Sequence, residues 1–201
     1  MSELVIDFIT SLDGYASAEG WPGWWGLEGP EYLTWLGERP ERHYTILMGA
    51  NTYRLMYGFA SESGTFDSDM STDEDAATAE LTRLTKVVFS STLQPPLSWA
   101  NTRLVREDPV EAVSAMKREG NNMSTLGSLT LCRSLLEAGL VDRFRVVVFP
   151  VITGSTGRER IYDDYPDAAL DMVDSRTFDG RIQLLEYVPT LLTGPPGTRP
   201  S

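Results

Sequence analysis

"STLGSLTLCRSLLEAGLVD", residues 124–142, decides how the chain is read. It begins as the end of a strand, passes a small-residue turn at Gly127-Ser128 and continues as an apolar helix over 128–138. Leu129, Cys132, Leu135 and Leu136 recur at helical spacing, and Gly139 stands where a left-handed residue ends a helix, with Leu140 as its apolar contact. Two uses of the Gly127-Ser128 turn stay open: a packing joint, or a seat for the phosphates of a cofactor. No Gly-x-Gly-x-x-Gly fingerprint follows any strand, so the turn alone does not choose between them.

The same alternation extends outward in both directions. "ELVIDFI" (3–9), "YTILM" (44–48), "KVVFS" (86–90), "TRLV" (102–105) and "NMSTL" (122–126) are short β-rich apolar runs, and "FRVVVFPVI" (144–152) has the near-continuous apolarity of a strand covered on both faces. Pro30 opens a helix, "PEYLTWLGE", with a stripe of Tyr32, Leu33, Trp35 and Leu36. "GANTYRLMYGF" turns from the second strand into another. Asp108, Pro109 and Glu111 supply an N-cap, a proline at the first position and an acid at the third. The last two strands, "LDMVDSRTF" and "RIQLLEYV", meet at Asp179-Gly180 and predict a hairpin with a two-residue turn. Alternating β and α ending in an antiparallel hairpin predicts a three-layer α/β/α domain with a mixed, mostly parallel sheet. It spans 3–188 as a single domain, with an acidic loop at 61–76 and a Pro/Gly-rich tail at 189–201.

Charge and composition narrow the chemistry. The chain of 201 residues carries a net charge of −12, which argues against nucleic acid as a partner. Seven acids and no base lie in 61–80, a solvated run that lacks the glycine and terminal glutamate of a calcium loop. One Cys and one His exclude an intrachain disulfide and a Cys/His zinc site, so no metal is expected. Cys132, among leucines, is expected to be buried and inert. No apolar run approaches the roughly 20 residues of a membrane span, and the N-terminus lacks a basic signal start, so a cytoplasmic protein with no membrane partner is expected.

Three strand exits line up: Met48-Gly49-Ala50-Asn51-Thr52, Phe89-Ser90-Ser91-Thr92 and Leu126-Gly127-Ser128-Leu129. Ligands of open α/β sheets lie outside the carboxyl ends of the strands, where glycines admit close backbone approach and helix N-termini favour anions. Each exit taken singly is also ordinary turn chemistry.

The order of motifs resembles the dihydrofolate-reductase-like superfamily, in the branch similar to the C-terminal reductase domain of bifunctional riboflavin-biosynthesis deaminase/reductases. The matching pieces are Ser11-Leu12-Asp13-Gly14, Leu47 to Tyr53, Lys86 to Leu93, Gly127-Ser128, Gly139 to Asp142 and Pro150 to Gly154. The resemblance implies an NADPH-dependent reductase of a small heterocyclic metabolite, similar to the phosphoribosylaminouracil reductase of riboflavin biosynthesis or to dihydrofolate reductase. It also implies a homodimer. Gly49, Asn51, Thr52, Ser90 and Ser91 would hold the adenosine side, and Gly127, Ser128 and Leu129 the pyrophosphate and nicotinamide end. Asp13 and Glu31 are the catalytic candidates, with Glu28 nearby; Gly14, Trp24 and Trp25 would face the substrate.

Other uses of these residues remain open. Asp13-Gly14 is also an ordinary turn, Glu31 suits a helix dipole, and the tryptophans suit loop packing. The chain has Ala50-Asn51 where the family often has a cation for the 2′-phosphate, so NADPH selectivity falls to Arg54 or Arg106 and neither NADH nor a deazaflavin is excluded. A phosphorylated substrate would have only Arg158 and Arg160 as nearby cations. The alternative reading is a non-catalytic nucleotide- or flavin-binding module on the same fold.

Overall fold

The computed structural model describes residues 2–20, 25–62, 79–195 and 197. Trp24 and nearly all of the acidic stretch lie outside these residues, as does part of the tail. Ten strands follow in chain order: β1 (Leu4–Ser11), β2 (Tyr15–Ala18), β3 (Thr45–Gly49), β4 (Lys86–Phe89), β5 (Thr102–Val105), β6 (Met123–Thr125), β7 (Arg143–Phe149), β8 (Gly157–Arg160), β9 (Ala168–Phe178) and β10 (Ile182–Leu191). Eight form one sheet in the order β5-β4-β3-β6-β1-β7-β10-β9, parallel from β5 to β7 and antiparallel beyond it.

The helices are α1 (Pro30–Glu38), α2 (Ala50–Glu62), α3 (Pro109–Arg118) and α4 (Leu129–Glu137). α3 and α4 cover one face of the sheet, where Val113, Met116, Leu131, Cys132, Leu135 and Leu136 pack on alternate residues of β1, β6 and β7. α1 and α2 cover the other, through Tyr32 and Trp35 on one side and Tyr53 and Met56 on the other. This is the mixed, mostly parallel three-layer architecture that the periodicity predicts. Asp108 caps α3 as expected, accepting from the N–H groups of Val110 at 2.9 Å and Glu111 at 3.1 Å, and Gly139 ends α4 with φ +66°. Cys132 is fully buried, and burial pushes its thiol up to about 12.

Three features depart from the sequence reading. β2 and β8 form a separate antiparallel pair, in stretches where the sequence analysis placed no strand. The hairpin keeps Asp179 and Gly180 at the turn centre, with φ +52° and +66°, but pairing resumes at Phe178 and Ile182, so Arg181 is an extra residue. β10 runs to Leu191, paired with Ala168, three residues into the segment read as tail.

β7 is covered on both faces, yet not by apolar groups alone. Phe144 and Val146 enter the α3/α4 core, whereas Arg143 and Arg145 point to the α1 face. Arg145 donates to Glu186 Oε2 at 2.6 Å and to Glu41 Oε1 at 2.7 Å. Arg143 binds Glu186 Oε1 at 2.7 Å, Glu3 Oε1 at 2.6 Å and Glu41. Asp7 on β1 receives Arg39. Burial by itself pushes the Glu41 carboxyl up, but the Arg145 charge and hydrogen bond outweigh it and hold the group at about 2, against an ordinary 4.5.

α1 has no capping side chain of its own, because its N-cap is Gly29. Asp179 caps it from the hairpin turn, accepting from the N–H groups of Glu31 at 3.0 Å and Tyr32 at 3.2 Å, while Glu31 Oε2 accepts from the Asp179 N–H at 2.6 Å. A Cβ on Gly29 would fall 2.1 Å from the Asp179 carboxyl carbon, so only glycine admits this approach.

Two outcomes follow from these contacts. Glu41 has a lower pKa folded than unfolded, so its contribution is complete above pH 4.5 and disappears as pH falls toward 2. The pH dependence of chemical unfolding should therefore be shallower over that window in Glu41→Gln, which also loses about 3–5 kcal/mol by leaving buried Arg145 and half-buried Arg143 short of charge. Asp179→Ala should cost about 1–2 kcal/mol, read as a melting temperature lower by roughly 2–8 °C.

Candidate functional site

The carboxyl ends of β4, β3, β6, β1 and β7 form one rim, and Ser90, Gly49, Gly127 and Asp13 stand at or just beyond four of these ends. At its centre Gly127 and Ser128 are both left-handed, with φ +53° and +65°. The second value is the conformation of a glycine, held here by a serine at a cost of about 1–3 kcal/mol. What holds it is the hydroxyl. Ser128 Oγ accepts the Gly49 N–H at 2.7 Å and lies 2.9 Å from Thr52 Oγ1. The exits of β3 and β6 are thereby tied together, and the N-termini of α2 and α4 open side by side. α4 has no side-chain cap on its first turn, so the donors after Ser128, beginning with Leu129, are not capped by a side chain. This is the setting in which helix termini receive anions.

Gly127 is needed for a reason internal to the chain. A Cβ there would stand 3.2 Å from Thr52 Oγ1, in a backbone conformation that side chains avoid.

The adenosine-side candidates also converge, β3 and β4 being neighbours. Ser90 Oγ accepts from the N–H groups of Thr92 and Leu93, both at 3.1 Å, closing its own turn. Arg106, just beyond β5, donates to Ser91 O at 3.1 Å and to Leu93 O at 2.7 Å. Arg54 donates to Asn51 Oδ1 at 3.1 Å. Each of the two exits thus carries an arginine.

On the other side of β6, Asp13 sits at the exit of β1. Its Oδ1 accepts the Ser11 hydroxyl at 2.6 Å and the Thr153 N–H at 3.2 Å, and its Oδ2 accepts the Gly154 N–H at 2.9 Å. The Ser11 hydrogen bond chiefly, with the backbone donors, holds the carboxyl at about 2. Asp13 is therefore an ionised clamp between the exits of β1 and β7, without a proton to give at neutral pH. Gly14, at φ +87°, lets the Tyr162 ring lie close against it. Glu31 is exposed and spends Oε2 in the cap of α1. Trp25 packs on the Tyr32–Phe178 cluster, so it belongs partly to the core. Its indole Nε1 and Glu28 Oε1 are buried without a hydrogen-bond partner.

Sequence reasoning missed the Ser128–Gly49–Thr52 junction and the reach of Asp13 to Thr153 and Gly154. The hydroxyls flanking the glycines were the available signal for the first. No described group of three or more His, Cys, Asp or Glu has the arrangement of a metal site.

Known proteins share this fold. The chain is 25% identical over 191 residues to the uncharacterised protein YyaP of Bacillus subtilis, covering 92% of this chain and 93% of that protein. A crystal structure of a putative riboflavin biosynthesis protein from Shewanella sp. PV-4 superposes with a TM-score of 0.70 at 18% identity, over 94% of this chain and 99% of that one. Dihydrofolate reductase from Enterococcus faecalis, solved with NADP(H), gives a TM-score of 0.57 at 14% identity over 93% and 96%. The fold is thus dihydrofolate-reductase-like. The model of the RibD C-terminal domain matches residues 2–184, from the start of β1 into β10, and the chain belongs to that family.

Proposed function

We propose that the protein is an NADPH-dependent reductase of a small heterocyclic metabolite, and that the dinucleotide lies along the rim from β4 to β6. The observation that carries this is the Ser128 junction, which sets two helix N-termini and a left-handed pair of residues at one place. The residues present fit the cofactor. Gly127, Ser128 and Leu129 would hold the pyrophosphate, and Gly49, Asn51, Thr52, Ser90 and Ser91 the adenosine side. Arg106 and Arg54 stand at those exits as cations for a 2′-phosphate, supporting NADPH over NADH and over a deazaflavin. When bound, NADPH supplies a hydride.

The chain's own part is orientation and a proton source. Asp13 acts as a positioning residue, keeping the exits of β1 and β7 in fixed relation. Glu31 is the proton candidate, since the cap uses only Oε2 and the side chain reaches solvent. A cytoplasmic homodimer belongs to the same proposal. The outer edge of β9, with Leu170 and Met172 exposed, supports the pairing of copies.

Intrinsic tryptophan fluorescence tests the reading by titration with NADPH, NADH and a deazaflavin. NADPH should bind about tenfold or more tightly than NADH, and Arg106→Gln should narrow that difference. No NADPH binding at millimolar concentration defeats the proposal, and binding without oxidation by any imine or carbonyl heterocycle favours the non-catalytic module.

Variants at the junction separate cofactor binding from folding. Gly127→Val should lose stability first, by about 1 kcal/mol or more, because its side chain meets Thr52 and its φ is positive. Ser128→Ala keeps the backbone atoms but frees Gly49 and Thr52, and should weaken NADPH by about tenfold in a protein that still unfolds cooperatively.

A further inference from the structure

We infer that the substrate side of the rim takes an unphosphorylated, neutral or cationic flat heterocycle, an inference that rests on the reductase reading above. Two observations of different kinds point the same way. The first is apolar. Leu12 and Ile152, the residues just beyond β1 and β7, are 64% and 71% exposed, and the Leu12 N–H donates to Val151 O at 2.8 Å. That hydrogen bond places the two on neighbouring strand exits. Val151, Trp25 and Leu27 continue the apolar surface behind them, packed on the Tyr32–Phe149 cluster. Adjacent large apolar side chains held out at a strand-exit rim are what a ligand's flat face covers.

The second observation is charge. The described segments that build this side, residues 11–20, 25–31, 150–164 and 179–181, hold eight carboxylates against three arginines, with Arg133 of α4 pairing with one of them, Asp164, at 3.0 Å. Each of those arginines is engaged. Arg158 pairs with Glu19 at 3.1 Å, Arg160 lies over the Tyr15 ring at 5.9 Å beside Asp163, and Arg181 donates to Leu27 O at 2.9 Å. Arg158 and Arg160, the sequence's candidates for a substrate phosphate, thus hold the β2–β8 pair together. The cations of the rim are sorted to the other end, at Arg54 and Arg106. A phosphate dianion entering beside Leu12 would meet a negative field with no free donor cation among the described residues. A neutral ring, or one carrying an amine or iminium, would not.

The test compares a ribosylaminouracil with the same compound bearing its ribose phosphate, by tryptophan fluorescence, with and without saturating NADP+. The nucleoside should bind at least about tenfold more tightly than its phosphate. Ile152→Lys, at a side chain outside the core, should narrow that ratio by about threefold or more. The inference is overturned if the phosphate binds as well as the nucleoside, if neither binds at millimolar concentration, or if Ile152→Lys leaves the ratio unchanged. Dinucleotide binding is read separately. Loss of NADP+ binding defeats the reductase reading, whereas a phosphate preference in a protein that binds NADP+ defeats this inference alone.

Discussion

Arg145 lies at the centre of the sheet, 3% exposed, with guanidinium donors to Glu41 and Glu186. Those carboxylates come from a turn after α1 and from β10, so one side chain ties the parallel half of the sheet to its antiparallel extension. Slipping β10 by one residue would turn Glu186 to the opposite face and leave buried Arg145 and half-buried Arg143 with one carboxylate fewer. The constraint is one of register, and the placement of the hairpin turn at the rim depends on it.

That placement matters because the turn carries Asp179. With β10 in register, Asp179 arrives over Gly29 and caps α1, which orients Glu31 and the loop before it. The opposite side of the mouth is fixed in the same manner, by Asp13 on the backbone of Thr153 and Gly154. Both devices use a carboxylate as an acceptor for distant N–H groups. Acids that look catalytic by position are thereby partly committed to architecture, and much of the negative charge of the mouth follows from this.

The side proposed for the cofactor is built by another principle. There the backbone itself is bent into left-handed geometry and a hydroxyl stabilises it. Ser128 keeps a conformation that glycine would adopt freely, because its Oγ joins Gly49 and Thr52. These hydrogen bonds offset the strain and keep the α4 N-terminus beside that of α2, the setting in which helix termini receive anions.

Local periodicity made most of the elements legible. Apolar runs at β1 and β3 to β7 and helical spacing at α1 to α4 are legible because their signals lie within a few residues, as do the cap at Asp108-Pro109 and the stop at Gly139. The three strand exits were legible for the same reason, each being a turn next to its strand. What the sequence by itself determined was the order of elements and the three strand exits at which the site is proposed. β2 and β8 escaped because each is four residues long and exists only through the other, far away in the chain. The partners of Arg145 lie 104 and 41 residues away, and Glu31 and Asp179 are separated by 148. Only the tertiary structure decided which acid cap, clamp or ion pair each carboxylate serves, because a charge has no periodicity and its partner is set by where the sheet brings two distant segments together.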